Sequence, residues 1–199
     1  MRKGERTRSA ILNESLALAS QVGLEGLSIG PLAQRLDMSK SGLFAHFGSK
    51  EDLQLQTLRQ AQALFAERVF APALKHPPGL PRIQALFSNW LAWIENSADL
   101  PGGCLILAAA TEYDDRPGAL RDELAAGQRE LRGALAKAVR LAVDAGHLHA
   151  QADAWQLTFE ILGIVLATHH DRRLLGDPRA SERALAAFRR LIAAHQVSG

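Results

Sequence analysis

Small polar and basic side chains gather over residues 39–50 in a pattern suited to contact with a polyanion. Ser39, Lys40 and Ser41 are adjacent, and Lys50 follows. Hydroxyl and ammonium groups donate to the phosphate oxygens of DNA, and small side chains allow close approach to a groove. The segment therefore predicts a DNA contact. The candidate contact residues are Ser28, Ser39, Lys40, Ser41, Gly42, Phe44, Ala45, His46 and Lys50.

Two short helices joined by a tight turn would position these side chains. Ser28 is a good N-cap for the first helix, and Ser39 for the second. Asp37 falls in the turn between them, because aspartate is one of the few residues that tolerate a left-handed backbone. The pattern predicts a helix-turn-helix over residues 28–47, whose second helix enters the major groove with its N-terminal end first.

Lys50 is expected in the first turn of the next helix, which Ser49 and Asp52 begin in the manner of a capping box. A cation at that position is unfavourable with the helix dipole. A DNA phosphate would compensate for it, and the alternative is a lysine that is merely solvated.

The distribution of charge favours a nucleic-acid contact near the N-terminus. The whole chain of 199 residues has a formal net charge of +2. Residues 1–50 hold seven Lys and Arg against four Asp and Glu, a net charge of +3, so the remainder has a net charge of −1. Four of the seven cations lie in the tail from Arg2 to Arg8, which is expected to contact phosphates. A tail that serves only solubility is the alternative.

Composition and spacing argue against most other classes of protein. Helix-forming residues dominate and no alternating strand pattern appears, which predicts an all-α fold. Cys104 is the single cysteine, and no base or cation that would activate it can be identified. The histidines lack the spacing of a structural zinc site, and no catalytic motif is found. We expect no enzyme activity, no cofactor and no metal.

The apolar runs are far shorter than the ~20 residues of a membrane span, and polar residues interrupt the N-terminal apolar stretch. These features predict a cytoplasmic protein without a membrane partner.

Residues 39–53 resemble the recognition helix and following segment of the TetR family of bacterial one-component regulators, and residues 5–28 match the same pattern. Two positions depart from it: Phe44 stands where the family usually has Tyr, and Asp37 where Gly is usual. The resemblance implies a nine-helix, all-α architecture. It implies a three-helix DNA-binding domain over residues 1–53 and a helical effector-binding and dimerisation domain over residues 54–199.

The penultimate helix is apolar on two nearly opposite faces, which predicts cover on both sides. Its own domain can cover one face, and a second copy of the chain is expected to cover the other with help from the last helix. Ordinary burial within the monomer is the alternative. The candidate dimer interface comprises Leu157, Ile161, Ile164, Val165, Leu185, Phe188, Leu191 and Ile192.

Large apolar residues with a few polar ones among them are typical of a small-molecule site, although an aromatic stripe can also be plain core. The candidate pocket residues are Phe65, Phe87, Trp90, Trp93, Cys104, Glu112, Trp155, Phe159 and His169. With the resemblance, they predict a homodimeric repressor that an unidentified apolar effector releases from a near-palindromic operator. The alternatives are an architectural nucleic-acid binder without an effector and a helical enzyme.

Overall fold

The computed structural model describes residues 3–96 and 100–197, and within them the chain forms nine helices and no sheet. The predicted all-α fold and helix count are confirmed. Arg2 and the helix end expected near Ser97 lie outside the described residues. The helices are α1 (Lys3–Val22), α2 (Ile29–Arg35), α3 (Lys40–Phe47), α4 (Lys50–Phe65, continued by Ala66–Phe70 and Ala71–Ala73), α5 (Leu80–Asn96), α6 (Leu105–Glu112), α7 (Ala119–Asp144), α8 (Ala154–Arg173) and α9 (Ala180–His195).

The chain divides into two compact units that do not follow chain order. The first unit comprises Met1–Leu64 and Ser97–Ala126, and the second comprises Phe65–Asn96 and Gly127–Gly199. Helix α6 therefore groups with the N-terminal helices, and the three divisions fall within α4, at the end of α5 and within α7. The functional boundary expected after residue 53 remains a prediction.

Helices α1–α3 form the small core of the first unit. Ile11, Leu32, Leu43 and Phe47 are buried there. Asp37 adopts the expected left-handed conformation, with φ 51°. Its turn is closed by the Met38 N–H, which donates to the Ala33 carbonyl. The local geometry of the helix-turn-helix is thus present.

The second unit is built on packing between α8 and α9 and between α5 and α8. Leu157, Ile161 and Val165 are at most 1% exposed. Asp153 caps α8 as its sequence position suggests, accepting from the N–H groups of Trp155 and Gln156. Helix α8 therefore buries one apolar face within its own unit.

Candidate DNA interface and ligand site

The outer face of α3 presents the expected mixture of small, polar and basic groups. Ser39, Lys40, Ser41 and Ala45 are exposed. The Ser39 Oγ accepts from the Gly42 N–H at 3.0 Å, which confirms Ser39 as the N-cap of α3, and lies 3.2 Å from the Ser41 Oγ. The N-terminal end of α3 thus offers two hydroxyl groups and an ammonium group to a ligand.

An aromatic side chain adds apolar area to this polar surface. Phe44 is 45% exposed, although phenylalanine is normally buried. It can pack against sugars or a thymine methyl group, but it has no hydroxyl to donate to a phosphate. His46 is half-buried at the last turn of α3, and the Arg8 guanidinium lies 4.9 Å from the centroid of the Phe47 ring. Helix α1 therefore supports the inner side of α3.

Gly42, Gly30 and Ser28 have roles in the local structure that differ from those expected from the sequence. A Cβ added at Gly42 would lie 3.1 Å from the Ser39 Oγ, so the glycine leaves room for the N-cap. A Cβ at Gly30 would lie 3.6 Å from the Lys40 Cε, which places the Lys40 side chain along α2. Ser28 occupies the N-cap position of α2, but its side chain forms no capping hydrogen bond. The expected side-chain cap at Ser28 is therefore corrected, while its contact with DNA stays a prediction.

Lys50 faces an anion within its own unit. Its Nζ lies 3.1 Å from the Glu25 Oε1, and both side chains are substantially exposed. The Tyr113 hydroxyl donates to the other Glu25 oxygen at 2.9 Å. These two donors, the tyrosine first, lower the pKa of Glu25. Burial and the neighbouring Glu25 carboxylate raise the pKa of Tyr113, so this tyrosine remains a donor at neutral pH. Glu25 thus gives Lys50 a counter-charge within the chain, and the contact of Lys50 with a DNA phosphate stays a prediction.

The connector over residues 23–28 is anchored by side chains from two other helices. The two carboxylate oxygens of Glu112 accept from the backbone N–H groups of Leu24 and Glu25, at 2.9 and 3.0 Å. The buried Gln54 of α4 donates from Nε2 to the Leu24 carbonyl at 2.7 Å. This arrangement fixes the segment that leads into α2. Glu112 was expected to line a ligand pocket, and the structure instead gives both of its oxygens backbone partners.

Glu25 and Gln54 are the residues that sequence reasoning missed. A glutamate in a glycine-containing connector and a glutamine on an amphipathic helix carry no local signal of these roles. Their partners lie 25, 30 or 88 residues away along the chain, and only the fold brings them together.

Three of the predicted pocket residues meet in the second unit. The Phe65 ring centroid lies 5.1 Å from that of Trp90 and 5.8 Å from that of Trp93, both edge-on. Phe70, which the sequence did not single out, joins them at 5.9 Å from Phe65. We call Phe65, Phe70, Trp90 and Trp93 the aromatic cluster.

The other predicted pocket residues are placed differently. Phe87 stacks on Phe188, with ring centroids 4.0 Å apart, and so belongs to the packed core of the second unit. Trp155 and Phe159 are 57% and 73% exposed, which corrects the expectation that they line a pocket. Cys104 is buried in the first unit, at the N-cap position of α6. His169 is largely buried, and burial followed by Arg173 and His170 lowers its pKa.

The predicted dimer residues also need correction. Leu157, Ile161, Val165, Phe188 and Ile192 are at most 5% exposed in the single chain, because their own unit covers them. They cannot provide contact surface to a second copy. Ile164, Leu185 and Leu191 are only half-buried and remain candidates.

An open groove of about 490 Å³ runs between α8 and α9. Small side chains dominate its walls, and Ile164 and Leu191 lie among them. Trp155, Phe159 and the 49% exposed Leu166 project from the exposed side of α8. The apolar surface open to a partner is therefore this outer side of α8 with the groove. The groove is lined by Glu160, Gly163, Ile164, Ala167, Thr168, Asp171, Ala180, Arg183, Ala184, Ala187 and Leu191.

Among the described residues, no group of three or more His, Cys, Asp or Glu side chains could hold a metal ion. None of the helices formed by residues 3–96 and 100–197 is long and apolar enough to cross a membrane.

Two models of known protein families match this chain, one near its N-terminus and one over its C-terminal part. Residues 11–57 match the model of bacterial regulatory proteins of the tetR family. Residues 79–188, more than half of the chain, match the tetracyclin repressor-like C-terminal domain. The chain belongs to the TetR family. It is a TetR-family transcriptional regulator with the fold that the sequence resemblance implied.

Individual relatives agree with this assignment. The HTH-type transcriptional regulator TcmR of Streptomyces glaucescens is 29% identical over 143 residues, which is 69% of this chain and 61% of the length of TcmR. A TetR transcriptional regulator from Chloroflexus aurantiacus is 27% identical, with a TM-score of 0.86 over 97% of this chain and 96% of that one. AibR, solved in complex with isovaleryl coenzyme A and operator DNA, is 22% identical, with a TM-score of 0.76 over 93% of this chain and 97% of its own.

Proposed function

We propose that this TetR-family protein is a homodimeric repressor that a small-molecule effector releases from a near-palindromic operator. The observation that carries the proposal is the exposed N-terminal end of α3, with Ser39, Lys40, Ser41 and Ala45 on its outer face. A recognition helix of this kind reads base edges in the major groove. The complex of AibR with operator DNA and a ligand shows that one protein of this fold binds both.

Dimerisation would extend the DNA sequence that the protein can recognise. One short helix reads only a few base pairs, whereas two copies related by a two-fold axis read two half-sites at a fixed spacing. The exposed apolar side of α8 and the groove beside it supply the surface for a second copy. An isologous contact between the last two helices of each chain would use this surface.

Helix α4 supplies the connection between effector and DNA in this proposal. It begins at Lys50, beside Glu25, and its later residues include Phe65 and Phe70 of the aromatic cluster. An effector that favours a different arrangement of α4 would weaken DNA binding, and DNA would weaken effector binding by the same factor. Because DNA is the partner, we assign the protein to the cytoplasm and expect no enzyme activity.

Selection of bound fragments from the source genome tests the proposal. The enriched fragments are expected to share a near-palindromic sequence and to bind the purified protein far more tightly than random duplexes of equal length. Equal affinity for enriched and random fragments would favour an architectural binder instead. Compounds related to the products of genes beside the enriched sites are then screened for release of the operator.

Lys40→Ala is expected to lower affinity for the selected operator by about tenfold, within the range for loss of one specific contact at a base edge. Fluorescence anisotropy at fixed salt measures the change. Lys137→Ala, which removes an exposed lysine from α7, is the matched control and should bind like the wild type. Equal affinity of the two variants would remove Lys40 from the interface.

Lys50→Ala should weaken binding to all duplexes alike and reduce the salt slope by about 1, because it removes one phosphate contact. Glu25→Gln should act in the opposite direction, since the carboxylate that competes with phosphate for Lys50 is neutralised while the side chain keeps its size. Affinity is measured across a salt series on operator and random DNA. An unchanged slope in Lys50→Ala would show that Lys50 stays with Glu25 in the complex.

A further inference from the structure

The helical geometry of α4 changes where it meets the tryptophans of α5. Residues Ala66–Phe70 form a π-helical turn, a rare distortion that is frequent at functional sites. In an α-helix, residues five apart point in different directions. The wider π turn brings Phe65 and Phe70 to the same side, with ring centroids 5.9 Å apart. The Asn89 Nδ2 supports the turn by donating to the Val69 carbonyl at 3.0 Å.

The two tryptophans of this aromatic cluster keep unused hydrogen-bond donors. Trp90 and Trp93 are 1% and 5% exposed, and among the described residues neither indole Nε1 has a hydrogen-bond partner. Buried indole N–H groups usually find a partner, because an unsatisfied donor costs folding free energy. Each of these donors would be satisfied by a ligand atom that accepts a hydrogen bond.

The rest of the second unit's described interior carries no formal charge. Its buried polar side chains are Thr158 and Thr168, and each donates to a carbonyl of its own helix. His169 has a buried Nε2 without a partner among the described residues, and its lowered pKa keeps the ring neutral at neutral pH. A charged ligand group placed in this interior would lose its hydration without gaining a counter-charge, which would cost much binding free energy.

We propose that the aromatic cluster binds an uncharged, planar, apolar molecule whose carbonyl or ether oxygen accepts hydrogen bonds from the indole N–H groups of Trp90 and Trp93. The phenyl rings of Phe65 and Phe70 pack against its apolar part. The identification of this molecule as the effector rests on the proposed function. The ligand chemistry proposed for the site does not depend on that function.

Indole N–H signals in an NMR spectrum of the full-length protein test this proposal directly. Three probes of nearly equal size are compared: acetophenone, which has a neutral acceptor; ethylbenzene, which has none; and benzoate, which is charged. Acetophenone is expected to move the indole protons of Trp90 and Trp93 downfield. The 57% exposed Trp155 is the internal control and should not respond. Acetophenone should bind at least about tenfold more tightly than ethylbenzene, the ratio that one hydrogen bond supplies, and benzoate most weakly.

Trp90→Phe and Trp93→Phe assign the signals and test the donors, because phenylalanine keeps an aromatic ring and lacks the N–H. Each should reduce the preference for acetophenone over ethylbenzene, whereas Trp155→Phe should leave it unchanged. The indole N–H chemical shifts of the wild-type protein test the proposal even where a variant folds poorly. Ethylbenzene binding as tightly as acetophenone, tightest binding by benzoate, or binding of none of the three would overturn the proposal.

A parallel titration of the protein–operator complex separates this inference from the proposed function. Indole shifts with acetophenone and no release of operator would retain the ligand site and contradict its role in repression. A protein that binds no operator at all would contradict the repressor and leave the indole result to stand by itself.

Discussion

Ala167→Glu is expected to convert the proposed dimer into monomers and to lower operator affinity by at least about 100-fold. Ala167 is exposed on α8 and lines the groove against α9, together with Gly163 and Ala187. A carboxylate buried in this contact is costly, because Arg183, the one cation among the groove's lining residues, is already paired with Asp177. Loss of the second recognition helix removes an advantage in effective concentration of about 10²–10⁴-fold. Sedimentation velocity gives the oligomeric state, and anisotropy gives the affinity.

Ala126→Glu is the matched control, because Ala126 is exposed on α7 and does not line the groove. It should remain dimeric and bind operator normally. A dimeric Ala167→Glu variant with full affinity would show that the chain associates through a different surface. Charged substitutions at Leu157 or Ile161 would be a poorer test, since both are buried within the chain and the variants would unfold.

The two apolar stripes of α8, one along each of its apolar faces, show a limit of prediction from the sequence. Their periodicity correctly indicated a helix with two apolar faces. It assigned the stripe containing Leu157, Ile161 and Val165 to the dimer contact, whereas these side chains are buried within the chain. Both stripes have similar composition, so their hydrophobic pattern cannot say which one packs on α5 and α9. That choice depends on helices far along the chain.

Short-range sequence patterns predicted caps and turns more reliably than they predicted contacts between distant helices. The left-handed Asp37 and the caps at Ser39 and Asp153 depend on backbone groups within four residues, and all three are present. The aromatic cluster was only partly predicted, because Phe70 reaches it through the π-helical turn. An α-helical projection of the sequence would direct that side chain elsewhere. The roles of Glu25 and Glu112 depend on contacts between distant segments, which a single sequence does not encode in any short motif.

Glu112→Ala is expected to destabilise the protein by about 2 kcal/mol and to lower its melting temperature by about 4–8 °C. The substitution removes both acceptors that hold the Leu24 and Glu25 N–H groups. Hydrogen bonds to a charged acceptor are worth more than neutral ones, but partial exposure reduces their contribution here. Thermal unfolding followed by circular dichroism measures the change.

Glu130→Ala removes an exposed carboxylate from α7 and should change the melting temperature little. Glu112→Ala should also lower operator affinity, because the connector over residues 23–28 sets the start of α2 and so the position of the helix-turn-helix. The same melting temperature for both variants would mean that Gln54, through its 2.7 Å hydrogen bond to the Leu24 carbonyl, holds the connector without α6. In that event α6 would have no part in positioning the recognition helix, and any response to effector would have to reach α3 through α4 alone.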